Sequence, residues 1–387
     1  MERRHILAIG AALAAGTALP VRTAGAATGP RPSHRPPDRA EIVAVLRRVA
    51  DHWIGAHSDP GDNQWARATF FSGLMALYRL TREPRYLAYT RGWAEKHGYG
   101  LHNGVTTRHA DDHCAGQVHL DLYALDTSPD QAKIAAIEDS LQRMVQSSAE
   151  KHDDWWWADA LHMAMPPFAR LGALRDDPAY GDAMHALYTH TKNAEGGPGL
   201  HDPDTGLWYR DKRFLPGGIA SPSGKPVLWS RGNGWAAAAH AKVLAVADNS
   251  HVDDSHAPEC RATLVRQLAA LRAVQRSDGF WNVNLADPDH LPGPETSGTA
   301  FFTYGTAYAL RAGLVPREVF RPVAARAWNA MVDTALHPDG FLGYVQNVGD
   351  RPESSQPVTY DSTADFGVGA FLLAGTELCA ALRLGRF

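Results

Sequence analysis

From residue 40 onward, apolar residues recur at three- and four-residue spacing along nearly the whole chain. That is the period of helices with a buried face. The spacing predicts helices near 40–56, 65–81, 84–97, 116–126, 129–150 and 157–174. It predicts six more near 178–193, 233–248, 258–276, 297–313, 316–335 and 364–384. Strand-like alternation is nearly absent. Pro84, Pro129, Pro178, Pro258 and Pro316 stand near predicted first turns, where a missing N–H costs nothing.

Very short turns, TREP at 81–84, TSPD at 127–130 and RDDP at 175–178, make neighbouring helices antiparallel. A helical pair returns about every 55–60 residues without sequence identity. An open solenoid needs similar, repeated hairpins, whereas these linkers differ greatly in length. The prediction is therefore an all-α fold, an (α/α)6 barrel of six helical hairpins. The long linkers, 101–115, 194–232, 277–296 and 336–363, would share one face of the ring. They carry TGLWYRDKRF (205–214), DGFWNV (278–283) and DGFLGYV (339–345), which read as pocket walls.

Residues 1–26 stand apart. Arg3 and Arg4 precede an apolar run over 6–19, and small residues close it at Ala24, Gly25 and Ala26. This is the grammar of a signal peptide, Sec or twin-arginine, and predicts export to the periplasm or beyond. Residues 27–39 are Pro-rich and polar and read as a disordered lead-in, and 40–387 as a single domain. Losing Glu2, Arg3, Arg4 and Arg22 removes a net +2 from the formal −4, leaving −6. That balance gives no electrostatic case for nucleic acid. With the signal removed, no membrane association is expected, and the reading is of a monomer. Cys114, Cys260 and Cys379 are widely spaced and read as partly buried thiols. No HExxH or paired CxxC is present, so no metal and no cofactor are expected.

Candidate chemistry gathers in a few stretches. In DDWWWADALHM (153–163), Asp159 lies among Trp155, Trp156, Trp157, Met163 and Met165, and shares a helix face with His162. Exclusion of water raises a carboxyl pKa and suits a general acid. The alternative is a helix-start carboxylate paired with an arginine. In HADDHCAGQ (109–117), Asp111 and Asp112 stand before a predicted helix, where one would cap it and the other is free. In WSRGNGW (229–235), Gly232 and Gly234 allow close backbone approach. Arg231 there is a fork for a carboxylate, and Trp229 and Trp235 offer stacking surfaces. Asp365 reads as the cap of the last helix.

Together, ADDHCAGQ (110–117), WWADALHMAMP (156–166), TGLWYRDKRF, WSRGNGW, PETSGTAFFTYG (294–305) and DFGVGAFLLAG (365–375) resemble glycoside hydrolase family 105. These are the unsaturated rhamnogalacturonyl and glucuronyl hydrolases, and the family fold is the (α/α)6 barrel. The resemblance implies that Asp159 is the acid/base and that Asp111 or Asp112 is the second acidic residue. It implies that Arg231 and Trp229 hold the substrate's carboxylate and ring. Asn233, Trp235, Trp157, His162, Trp208, Arg210 and Gln117 complete the expected substrate-binding set. One departure stands out: where many members carry His after the GLWY aromatics, this chain has Arg210, which with Lys212 makes the rim more cationic.

The implied substrate is a small oligosaccharide ending in a 4,5-unsaturated uronic acid. Two rivals remain: a conventional two-carboxylate glycosidase on the same barrel, and a non-catalytic carbohydrate-binding protein.

Overall fold

The computed structural model describes residues 37–250, 255–385 and 387. The predicted signal peptide, and the lead-in up to residue 36, lie outside them. Within them run twelve α-helices: α1 (Arg39–Ala56), α2 (Trp65–Thr81), α3 (Pro84–Lys96), α4 (Ala110–Tyr123), α5 (Ala135–Gln146) and α6 (Ala160–Arg175), followed by α7 (Pro178–Asn193), α8 (Ser230–Ala247), α9 (Ala257–Ala273), α10 (Thr296–Arg311), α11 (Arg317–Ala330) and α12 (Asp365–Arg383). Among the described residues, extended pairing is confined to isolated bridges.

The even helices pack in a closed cycle: α2 on α4, α4 on α6, and so through α8, α10 and α12 back to α2. The odd helices form an outer layer, with α3, α7 and α11 against α2, α6 and α10, and α1 against α12. Every inner helix therefore runs the same way, and the fold is an (α/α)6 barrel. The six inner N-termini open at one mouth, where the long connections arrive. The inner C-termini open at the other, where the short turns lie.

Packing explains why the layers differ in composition. Inner helices are buried nearly all round: in α8, Ser230 to Ala241 are all buried, as are Thr296 to Leu310 in α10. Small residues let such helices approach. A Cβ on Gly73 of α2 would meet the Gly369 carbonyl oxygen at 2.4 Å, and one on Gly369 of α12 would meet the Thr69 carbonyl oxygen at 2.3 Å. Backbone on backbone closes the ring there. Helix α12 is long and apolar enough to cross a membrane by composition, but most of that stretch is buried inside the barrel.

Several boundaries differ from expectation. Helix α5 begins at Ala135, six residues after the predicted 129, because Asp130 caps a separate 3-10 turn over Gln131–Lys133, so TSPD is not a tight two-helix turn; and α11 gives way to a π turn at Met331–Ala335. Helix α4 starts at Ala110, six residues earlier than predicted, because its first turn is polar and shows no apolar period. Helix α1 reaches back to Arg39, where Asp38 and Glu41 form a reciprocal capping box. All three cysteines are free and buried.

Gly73→Ala inserts a methyl where only backbone can yield, so it should destabilise the fold by about 1–3 kcal/mol. Thermal melting would show this as a lowered midpoint; an unchanged midpoint would mean that the ring does not close on this contact.

Candidate active site

Asp159 occupies the N-cap position of α6 yet does not cap it: its φ and ψ are −65° and −29°, and its side chain accepts no helix N–H. A capping residue needs extended angles. The preceding backbone imposes this shape, since Trp157 bridges to Asp211 and the Ala158 N–H donates to the Arg210 carbonyl at 2.8 Å. The carboxyl turns instead into the N-terminal mouth. Its Oδ1 is buried with no hydrogen-bond partner, about where a Cβ on Gly232 would meet it at 3.4 Å. Burial raises its pKa, against the pull of Arg210 and Arg231.

Arg210 is the nearest cation, with Nε 3.6 Å from Asp159 Oδ2. That is beyond hydrogen-bonding distance, and Nε has no partner. The guanidinium is drawn elsewhere. Its Nη1 donates to Asp211 Oδ2 at 2.8 Å, and its plane lies 5.5 Å from the Trp156 ring centre. Asp211 also receives Arg213 at both oxygens, at 2.9 Å each. Burial alone would raise the Asp211 pKa, but bonds from Arg213 and Arg210 hold the group below the usual range and ionised. A second carboxylate thus competes for the arginine that would otherwise neutralise Asp159.

The early start of α4 changes the reading of the Asp pair. His109 is the N-cap, and both acids lie in the first turn. Asp112 is buried and accepts from Thr107 Oγ1 at 2.6 Å and Asn103 Nδ2 at 3.0 Å, so it ties down the preceding loop. Asp111 faces the mouth. Burial, then the charges of Asp159 and Asp112, push its pKa up to about 7. Of the two, Asp111 is the acid that shares the site with Asp159.

Arg231 lies on the first turn of α8 and is buried. Its Nη1 donates to the Gln346 and Asn347 carbonyls at 2.6 and 2.9 Å. The guanidinium stacks 4.3 Å from the Trp229 ring centre and 5.0 Å from that of Phe366. Burial lowers its pKa to about 10, partly offset by Glu295 and Asp159. It stays cationic at neutral pH. Trp229 is fixed in turn, Nε1 donating to Gln346 Oε1 at 2.9 Å. Trp157 tilts over His109 at 4.8 Å, and its neighbour Trp156, 43% exposed, presents an open indole face.

Four expected substrate contacts lie elsewhere, and a fifth, Trp208, goes with them. Asn233 is fully buried; its Oδ1 accepts the Trp208 N–H and its Nδ2 donates to the Trp208 and Trp229 carbonyls. It positions those loops and has nothing left for a ligand. Trp235 and His162 plug the barrel axis, 4.8 Å apart, with Trp235 also 4.3 Å from Phe301. Burial drives the His162 pKa well down, so it is neutral. Trp208 is buried against His201. Gln117 supports the backbone of α6. Pro166 and Pro167 lack the N–H groups that would reach the His162 and Met163 carbonyls within that helix, and Gln117 Nε2 donates to these two instead, at 2.7 and 3.3 Å. Asp365 is not the α12 cap either; it accepts from Arg67 Nε at 2.9 Å.

Asp211, Glu295 and Gln346 matter to the site and carried no assignment from sequence. Glu295 is fully buried, caps α10 through the Ser297 and Gly298 N–H groups, and accepts the Gln346 N–H at 3.2 Å. It thereby holds the stretch of backbone that grips Arg231. Only the placement of PETSG among the resemblance motifs hinted at it.

Asp211→Asn should release Arg210 toward Asp159. A closer cation favours the ionised carboxyl and lowers its pKa. If protonated Asp159 is the active form, the alkaline fall of kcat should then move to lower pH. A pH profile that does not move would contradict the competition between the two carboxylates.

The sequence model described as Glycosyl Hydrolase Family 88 matches residues 44–382. A relative from Formosa agariphila, named unsaturated 3S-rhamnoglycuronyl hydrolase, is 29% identical over 360 residues, covering 88% of this chain and 91% of its own. A solved structure named glycosyl hydrolase family 88 from Bacteroides vulgatus is 33% identical, with TM-score 0.81 over 89% of this chain and 99% of its own. Another, named polysaccharide lyase BACCELL_00875, is 34% identical, with TM-score 0.81 over 89% and 98%. The barrel, its acidic mouth and a match spanning nearly the whole domain agree: this chain belongs to Glycosyl Hydrolase Family 88.

Proposed function

We propose that the protein removes a 4,5-unsaturated uronic acid from the non-reducing end of oligosaccharides by hydrating the C4=C5 bond. One observation carries this reading: a buried carboxyl with a free oxygen, its pKa raised, sits in one mouth with a buried guanidinium. The first supplies a proton, and the second recognises a carboxylate.

Arg231 binds the uronate. Its Nη1 is spent on backbone carbonyls, so the Nε/Nη2 edge is the one presented to substrate. The six inner helix N-termini add a field that favours an anion at this mouth. Protonated Asp159 delivers its proton to C4 of the enol ether, and positive charge develops at C5 and the ring oxygen. The carboxylate so formed takes a proton from water, whose oxygen bonds to C5. Asp159 is thereby reprotonated. The product is a hemiketal at C5; it opens, and the unmasked C1 hemiacetal releases the aglycone as an alcohol. One carboxyl serves as acid and then base. Asp111, partly protonated near pH 7, keeps a second full negative charge away from Asp159.

Trp156 and Arg210 shape the rim where the next sugar would lie. Residues 1–26 support export to the periplasm or outside the cell, where lyase products arise.

The test pairs a saturated with an unsaturated disaccharide of one linkage. Loss of the enol-ether ultraviolet band with aglycone release, on the unsaturated sugar alone, is expected. Equal cleavage of the saturated sugar would favour the two-carboxylate glycosidase, and a rising band on a polymer would favour a lyase. Asp159→Asn should lower kcat by roughly three orders of magnitude or more, with circular dichroism unchanged. Retained turnover would exclude Asp159. Arg231→Ala should raise KM at least about tenfold, a loss on the scale of a charge-assisted contact. An unchanged KM would remove Arg231 as the uronate anchor.

A further inference from the structure

Among the described residues, the opposite mouth of the barrel is not closed. Where the inner helices end, a funnel of about 970 Å³ opens to solvent, large enough for a small ligand. The aromatic plug of Trp65, His162, Trp235, Phe301 and Phe366 separates it from the catalytic mouth.

Its charge is lopsided. Arg39, Arg79, Arg170, Lys242, Arg311 and Arg383 line it against two carboxylates, Asp121 and Glu377. Asp121 takes both Arg79 and Arg170, and Glu377 takes Arg311. Arginines in last turns also complement the negative helix ends. Neither account covers Lys242. It sits more than a turn before the end of α8, beyond the reach of that dipole, and among the described residues its direct partners are neutral, with Asp121 acting on it only from beyond ion-pair distance. Its Nζ donates to Ser72 Oγ at 2.9 Å and Gln117 Oε1 at 2.7 Å, both neutral. An ammonium has three N–H donors. The third has no protein acceptor among the described residues. Burial, partly offset by Cys114 and Asp121, lowers its pKa to about 8, as for a cation lacking an anion. Arg39 and Arg383 are exposed at the lip and would draw an anion inward.

We propose that this funnel is a second binding site, for a small oxyanion seated on Lys242 Nζ and remote from catalysis. The same chemistry is offered by a free inorganic oxyanion and by an anionic sugar, and the volume suits the sugar.

Calorimetric titration of the purified protein with sodium sulfate and with sodium glucuronate, at ionic strength fixed by chloride, tests this. In the Arg231→Ala protein, where the catalytic mouth has lost its uronate anchor, one saturable site is expected, at least about tenfold weaker when Lys242→Met is added. Lys242→Met should still hydrolyse the unsaturated disaccharide at the wild-type rate. Tighter binding of glucuronate identifies the sugar as the ligand; binding of sulfate alone identifies the free ion. The paired variant Arg39→Glu with Arg383→Glu changes only exposed side chains, so it decides the matter should Lys242→Met fail to fold. It should weaken binding about tenfold. No saturable heat with either anion in the Arg231→Ala protein, or unchanged affinity when Lys242→Met or the Arg39→Glu/Arg383→Glu pair is added to it, would overturn the proposal.

Discussion

A carboxyl set beside two guanidiniums loses its proton unless burial and competing partners oppose them. Burial keeps the Asp159 pKa raised, and the two guanidiniums near it, Arg210 at 3.6 Å included, are engaged elsewhere and only partly offset it. Arg210 is drawn to Asp211, and Arg231 is held by the Gln346 and Asn347 carbonyls and by stacking. Each restraint has its own support: Arg213 keeps Asp211 ionised, and Glu295 fixes the backbone at Gln346. The cost is a set of buried charges at one end of the barrel. The active site is in this sense a balance of positions, in which a closer approach of Arg210 would lower the pKa of the acid.

The ring makes that balance buildable. Parallel inner helices place six N-termini, and the long loops before them, at a single mouth. Asp111, Asp159 and Arg231 all come from the starts of such helices, though 48 and 72 residues separate them in turn. The same geometry leaves the far mouth ringed by helix C-termini and by basic side chains. The aromatic plug between them is where the neutral His162 and fully buried Trp235 serve packing.

The helices were legible because outer-layer segments such as α1 and α11 show one apolar face. The ring was legible in the linkers, whose short turns imply antiparallel hairpins and whose unequal lengths argue against an open solenoid. The start of α4 was not, since HADDH is polar at nearly every position and a helix lining a polar mouth shows no apolar stripe. Of the site, Asp159 and Arg231 stood out as charges among tryptophans. Asn233, Gln117, Trp208, Trp235 and His162 looked equally like ligand groups, because a sequence does not say whether a polar side chain faces a sugar or a neighbouring carbonyl. Gln117 is the clearest instance: its partners exist only because two prolines fall at 166 and 167. Nothing local pairs Arg231 with Gln346, 115 residues away, or marks Asp211 as the competitor of Asp159.

The central claim is that the Asp159 proton goes to a carbon atom. Turnover of an unsaturated disaccharide in deuterium oxide, read by nuclear magnetic resonance of the released sugar acid, tests it directly. The account predicts one deuterium bonded to C4, and none of that product with Asp159→Asn. Release of the aglycone with the C4=C5 bond intact and no carbon-bound deuterium would contradict it.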